Sequence, residues 1–259
     1  MKIMLDISYL GTAYCGWQVQ PNAVSVQEKL QDAVQEVFGS RYDVTGCSRT
    51  DSGVHAKSFI CTVCVDSNAN AVPVARVPLA LNSRLPDDIA VKSARIVPCD
   101  FHPRYSARGK EYEYIFCDCE FRNPLLLGRA AYVFPKLDEK AMNQAAAYFT
   151  GYHDFSAFMS SGSKITDARR TIFNCSVTRL ADTVKLTVSA DGFLYNMVRI
   201  IAGTLADVGH ARLCPSDVKK IIDSGKRELA GKTMPAEGLY LSRVFYDNIA
   251  EGSEDNEEK

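Results

Sequence analysis

The chain has 259 residues, of which 46% are hydrophobic and 24% charged, with a formal net charge of −1; this excludes a low-complexity or disordered chain and suffices for one large or two ordinary hydrophobic cores. Lys2 and Asp6 interrupt the N-terminal apolar run and no apolar stretch reaches the length of a membrane span, so a soluble, cytosolic (cytoplasmic) protein with no membrane partner is expected. The nine cysteines are odd in number and follow no framework spacing, which argues for reduced thiols.

In chain order, Ile3, Leu5, Ile7 and Tyr9 alternate with Met4, Asp6 and Ser8, the period of a first strand. Ser25-Val26-Gln27-Glu28 is a capping box; it opens a helix with Val26, Leu30, Ala33, Val34 and Val37 on one face, and Gly39 closes it. The pattern predicts a strand over 42–48 and another over 58–65, with a polar loop between them. Helical spacing returns over 74–81, followed by a strand over 89–97. The order is βαββαβ, the ferredoxin-like arrangement of two helices on one face of an antiparallel sheet, whose open face is a common RNA platform. Cys61 and Cys64 fall on the 58–65 strand, where residues three apart face opposite ways. With no second Cys-x-x-Cys and no histidine pair, no metal site is expected.

Strands are predicted over 110–119 and 129–134. Asp138 caps a helix carrying Ala141, Ala145 and Phe149 that ends at Gly151. Two strands over 171–180 and 183–190 turn at Ala181-Asp182; a buried helix over 193–208, a shorter one over 215–224 and a last strand over 239–246 follow. The fold class is therefore α+β, with two ferredoxin-like subdomains at 1–104 and 105–249. Residues 250–259 hold five acids, one lysine and almost nothing apolar, and read as a disordered acidic tail. Without that tail the chain is modestly basic, so contact with nucleic acid must rest on local clusters.

The polar loop reads Gly46-Cys47-Ser48-Arg49-Thr50-Asp51-Ser52-Gly53-Val54-His55-Ala56. A carboxylate two residues from a guanidinium and beside hydroxyls can be kept ionised, and flanking glycines allow sharp turning and close backbone approach. The same residues also suit a plain Asx turn. Arg199 sits in the apolar run Phe193-Leu194-Tyr195-Asn196-Met197-Val198-Arg199-Ile200-Ile201, where a bare charge is costly; it either has a partner or snorkels to water. Tyr112 and Tyr114 share one strand face, the ordinary place for cross-strand packing. His55 suits a hydrogen-bonded structural role, and His153-Asp154 suits a solvated turn, because no nucleophile motif accompanies it.

Arg49-Thr50-Asp51-Ser52-Gly53-Val54-His55-Ala56 resembles the active-site motif of the TruA-type tRNA pseudouridine synthases, which runs Arg-Thr-Asp-x-Gly-Val-His-Ala. Tyr9-Leu10-Gly11-Thr12 with Gly16-Trp17-Gln18-Val19-Gln20-Pro21-Asn22 is similar to that family's opening, Lys110-Glu111-Tyr112-Glu113-Tyr114 to its second motif, and Met197-Val198-Arg199 to its third. Gly203-Thr204-Leu205 with Val208-Gly209, then Ala230-Gly231-Lys232-Thr233-Met234-Pro235-Ala236-Glu237-Gly238-Leu239-Tyr240-Leu241, resembles the closing pattern. The resemblance implies two sheets joined into one with the active cleft between them, and isomerisation of uridine to pseudouridine in the anticodon stem-loop of tRNA, at uridines thirty-eight to forty. It implies Asp51 as the essential carboxylate, Arg199 as its ion-pair partner and Tyr112 against the target base. Arg49 would fill the gap left by the flipped base or hold its phosphate, and Leu239 would line the pocket. No cofactor and no metal are implied, and the assembly is a homodimer. The alternatives are a noncatalytic ferredoxin-like RNA-binding protein and a synthase acting at other tRNA positions.

Overall fold

The computed structural model describes residues 1–66, 69–162 and 165–247, so the acidic tail expected at 250–259 lies outside the described residues. Two compact units are present, one of residues 1–108 with the segment from 241, the other of Gly109–Tyr240.

The first unit contains β1 (Lys2–Tyr9), α1 (Val26–Phe38), β2 (Val44–Gly46), β3 (His55–Cys64), α2 (Val77–Asn82) and β4 (Ile89–Ile96). Strands β4, β1 and β3 lie side by side, with β2 on β3, all antiparallel. This is the predicted βαββαβ order with ferredoxin-like pairing. Ile3, Leu5, Ile7 and Tyr9 belong to the core, as the alternation read in β1 requires, and Met4 on the opposite face is buried as well. Opposite Leu5 is Cys61, also buried, while Cys64 is exposed, as strand spacing requires.

Helix α1 begins as expected. Ser25 Oγ accepts the Glu28 N–H at 3.2 Å and Glu28 Oε2 accepts the Ser25 N–H at 3.5 Å. Val26, Leu30, Ala33, Val34 and Phe38 are its buried apolar residues. Phe38 rather than Val37 completes the stripe, one position further round the same face.

The second unit contains β5 (Ala107–Cys117, its first two residues counted with the first unit), β6 (Ala131–Tyr132), α3 (Glu139–Ala146), β7 (Gly151–Asp154), β8 (Arg169–Leu180), β9 (Thr183–Ala190), α4 (Met197–Gly209) and α5 (Asp217–Ser224). Its strand order is β5-β9-β8-β7, with β6 running parallel on β5. The β8–β9 hairpin turns where predicted, with Ala181 at φ 49°. The last strand, β10 (Leu239–Tyr246), starts in this unit, and from Leu241 it belongs with the first.

Two local expectations differ. The buried helix starts at Met197 and not at 193, because Asn196 takes a left-handed conformation at φ 60° and blocks helical continuation. Residues His153 and Asp154 lie on β7, an edge strand paired to Arg170 and Arg169. Four residues of mostly polar character leave no alternation to read. No helix among the described residues is long and apolar enough to cross a membrane.

Candidate active site

Asp51 stands in the loop from β2 to β3, half-buried, with its backbone closed into a turn: the Val54 N–H donates to the Asp51 carbonyl at 3.1 Å, and Gly53 sits at φ 78°. What fixes the loop is the segment after β1. The Trp17 N–H donates to the Thr50 carbonyl at 3.1 Å, the Gly53 N–H to the Tyr14 carbonyl at 3.3 Å, and the Ser52 hydroxyl to the same carbonyl at 3.3 Å. At the head of this segment, the Tyr9 hydroxyl and Thr50 Oγ1 are 2.8 Å apart in the core. His55 is fully buried and its Nδ1 accepts the Gly11 N–H at 2.9 Å, which gives it the structural part expected.

Two glycines make this approach possible. A Cβ on Gly11 would overlap the Val54 carbonyl oxygen, and one on Gly16, whose φ is 86°, would overlap the Thr50 carbonyl oxygen. Gly46 lies in β2, where a Cβ would press on the Trp17 indole at 2.6 Å; that ring stacks on Phe59 at 4.1 Å. The opening segment therefore clamps this loop on both sides of Asp51. Arg49 is on the same loop and exposed. The first unit thus holds a carboxylate and a guanidinium on one rigid turn.

In the second unit, Arg199 is half-buried on the first turn of α4. Its Nε donates to the Met234 carbonyl at 2.6 Å and its Nη1 to Asn196 Oδ1 at 2.7 Å. The returning Met234 N–H donates to the Arg199 carbonyl at 3.2 Å, while the Gly231 N–H donates to Thr204 Oγ1 at 2.8 Å. Residues 231–234 are thereby sewn to α4, and the guanidinium has a fixed orientation. It does not simply snorkel.

Tyr112 and Tyr114 occupy the same face of β5, both buried. Tyr112 meets Phe193 edge to face at 5.0 Å and 84°. Tyr114 packs on Phe116 at 4.8 Å and donates its hydroxyl to the Pro235 carbonyl at 2.7 Å. Burial raises the Tyr114 pKa, Arg199 opposes the rise and Glu237 adds to it, so this phenol stays protonated and acts as a donor. Leu239, at the start of β10, is buried. Within this unit the structure gathers Arg199, Met234 and Tyr114 on the segment that leads to Leu239. Asn196 and the carbonyls of Met234 and Pro235 were not legible as part of this cluster, since a carbonyl has no residue signature. The position of Asn196 three residues before Arg199 was the available signal.

Comparison with known proteins identifies what this machinery resembles. A family model described as tRNA pseudouridine synthase matches residues 7–106 and 145–247, which include Arg49, Asp51, Arg199 and Leu239 but not Tyr112. The chain is 46% identical over 245 residues to tRNA pseudouridine synthase A of Acetivibrio thermocellus, covering 95% of this chain and 99% of that one. It is 44% identical over 246 residues to tRNA pseudouridine synthase A of Ruminiclostridium cellulolyticum and 45% identical over 246 residues to that of Caldicellulosiruptor saccharolyticus, with the same coverage.

Proposed function

The chain belongs to the tRNA pseudouridine synthase family, and from that premise we propose that it isomerises tRNA uridines through the carboxylate of Asp51. In the reaction the bond from ribose C1′ to N1 breaks, the uracil turns in place and C5 bonds to C1′; the C5 proton is then lost and N1 gains one, so the composition is unchanged and there is no net oxidation or reduction. The observation that carries the assignment is the clamped turn: Asp51 is half-buried on a loop held by Trp17, Tyr14 and the close approach of Gly11 and Gly16. A rigid carboxylate with limited access to water is suited to attack C1′ or C6, or to remove the C2′ proton.

Arg199 is the cationic partner that keeps Asp51 ionised. Its double tether to Met234 and Asn196 supports that role, since a guanidinium already oriented loses little entropy on pairing. Tyr112 lies against the target base, Leu239 contributes an apolar wall, and Arg49, exposed beside Asp51, takes the space or the phosphate of the flipped nucleotide. The substrate site is the anticodon stem-loop, at uridines thirty-eight to forty, and the working assembly is a homodimer in the cytoplasm; these points rest on the family resemblance.

The test is Asp51→Asn, assayed by mapping pseudouridine in an unmodified tRNA transcript. The expected outcome is loss of isomerisation with tRNA binding retained, because the amide keeps the shape and loses the charge. Turnover within tenfold of the parent would instead move the chemistry to another residue, and a parent that binds tRNA without converting it would assign the protein to noncatalytic RNA binding.

A further inference from the structure

The turn after β4 carries an aromatic ring that the site described above does not use. Tyr105 is 80% exposed. Single exposed aromatics are ordinary; this one is held in place. His102 Nδ1 accepts the backbone N–H groups of Arg104 at 3.1 Å and Tyr105 at 3.2 Å, so the acceptor nitrogen is unprotonated. The imidazole lies 4.3 Å from the Tyr105 ring at an interplanar angle of 33° and backs one of its faces. The backbone of His102 is closed in turn, donating its N–H to Ser106 Oγ at 3.1 Å and accepting the Ser106 N–H at 2.9 Å.

The base of the turn is anchored to β10. Phe101 packs on Tyr246 at 5.3 Å, and the Tyr246 hydroxyl donates to the Pro103 carbonyl at 2.6 Å. Burial raises the Tyr246 pKa, and Cys47 and Cys61 add to the rise. The same segment is polar: Arg104 and Arg108 are exposed, and Arg108 pairs with Asp247 at 2.6 Å. A protein partner would call for apolar neighbours, which this turn lacks. An oriented aromatic plane beside a cation suits an unpaired base and its phosphate.

We propose that Tyr105, backed by His102, is a stacking platform for an unpaired base of the tRNA, with Arg104 contacting the adjoining phosphate. The proposal rests on the tRNA reading above and extends it to a second contact, apart from the target uridine.

The experiment measures binding of an unmodified tRNA transcript to the full chain over a range of salt, beside conversion by the same preparations. Tyr105→Ala is expected to weaken binding roughly tenfold, with unchanged melting temperature and unchanged salt slope, and Tyr105→Trp to restore it. Arg104→Ala is expected to lower the slope of log affinity against log salt by about one. A converting parent whose Tyr105→Ala variant keeps parental affinity overturns the proposal alone. So does a loss that Tyr105→Trp does not restore, or one accompanied by a changed oligomeric mass, which would assign the ring to a protein contact. A parent that neither binds nor converts tRNA overturns the proposal together with the reading beneath it.

Discussion

At Gly16 the main chain passes so close to the Asp51 loop that no side chain fits, and its φ of 86° is one that L residues rarely adopt. Gly16→Ala is expected to cost about 1–3 kcal/mol of stability and, by displacing the Thr50 carbonyl, to reduce turnover more than tenfold. Parental turnover, read on the same tRNA, would show that the clamp has no catalytic consequence. Arg199→Ala and Tyr112→Phe separate two kinds of contribution. The first removes the donors that Met234 and Asn196 accept from, so melting temperature and turnover should fall together, with a stability loss of about 2 kcal/mol. The second keeps the ring against Phe193 and removes only a hydroxyl, so the loss should appear in turnover and not in the melting curve. These residues were singled out by their motifs; the bonds that hold them were not legible, because half of the partners of Arg199 are backbone carbonyls.

The end of β5, the start of α3 and the far end of β8 are joined by an ion cluster of the second unit. Arg179 donates to both oxygens of Asp118, at 2.9 and 2.8 Å, to Glu139 Oε2 at 3.1 Å and to the Leu137 carbonyl at 2.7 Å, while Asp118 also accepts the Leu137 N–H at 3.0 Å. The Asp118 side chain is 2% exposed. Burial by itself would raise its pKa, but the bonds from Arg179 and Leu137 outweigh burial and hold it below the ordinary carboxylate range. With the folded pKa depressed, this contribution is complete above the unfolded value of about 3.9 and is lost as pH falls through the folded pKa. Asp118→Asn is expected to cost about 3 kcal/mol at neutral pH, and its melting temperature should fall less steeply than the parent's below about pH 4. Parallel melting curves in that acid range would show that Asp118 is not among the groups that set acid stability. Nothing local foretold this cluster, since Asp118 and Arg179 each look like ordinary polar residues at strand ends.

For the molecule as a whole, net charge sets the long-range background against which local basic clusters meet tRNA. Residues 251–259 contribute five acids and one lysine to a chain of net charge −1. Their removal is expected to strengthen tRNA binding slightly at low salt, with the gain fading as ionic strength rises; equal affinity of both forms at every salt concentration would show that this charge has no part in binding. The βαββαβ order, the Ser25–Glu28 capping box, the turn at Ala181 and the Asp51 motif were all determined by sequence alone. Each depends on residues a few positions apart, where periods of two and 3.6, cap residues and turn residues leave a local pattern. Only the tertiary structure decided that Gly11 meets Val54, that Gly16 meets Thr50, that Arg199 is held by Met234, and that Tyr105 is backed by His102 and anchored through Tyr246. Most of these contacts join residues far apart in the chain, or use backbone atoms that every residue possesses. No periodicity records such a meeting; it exists once the strands pair and bring the distant segments together.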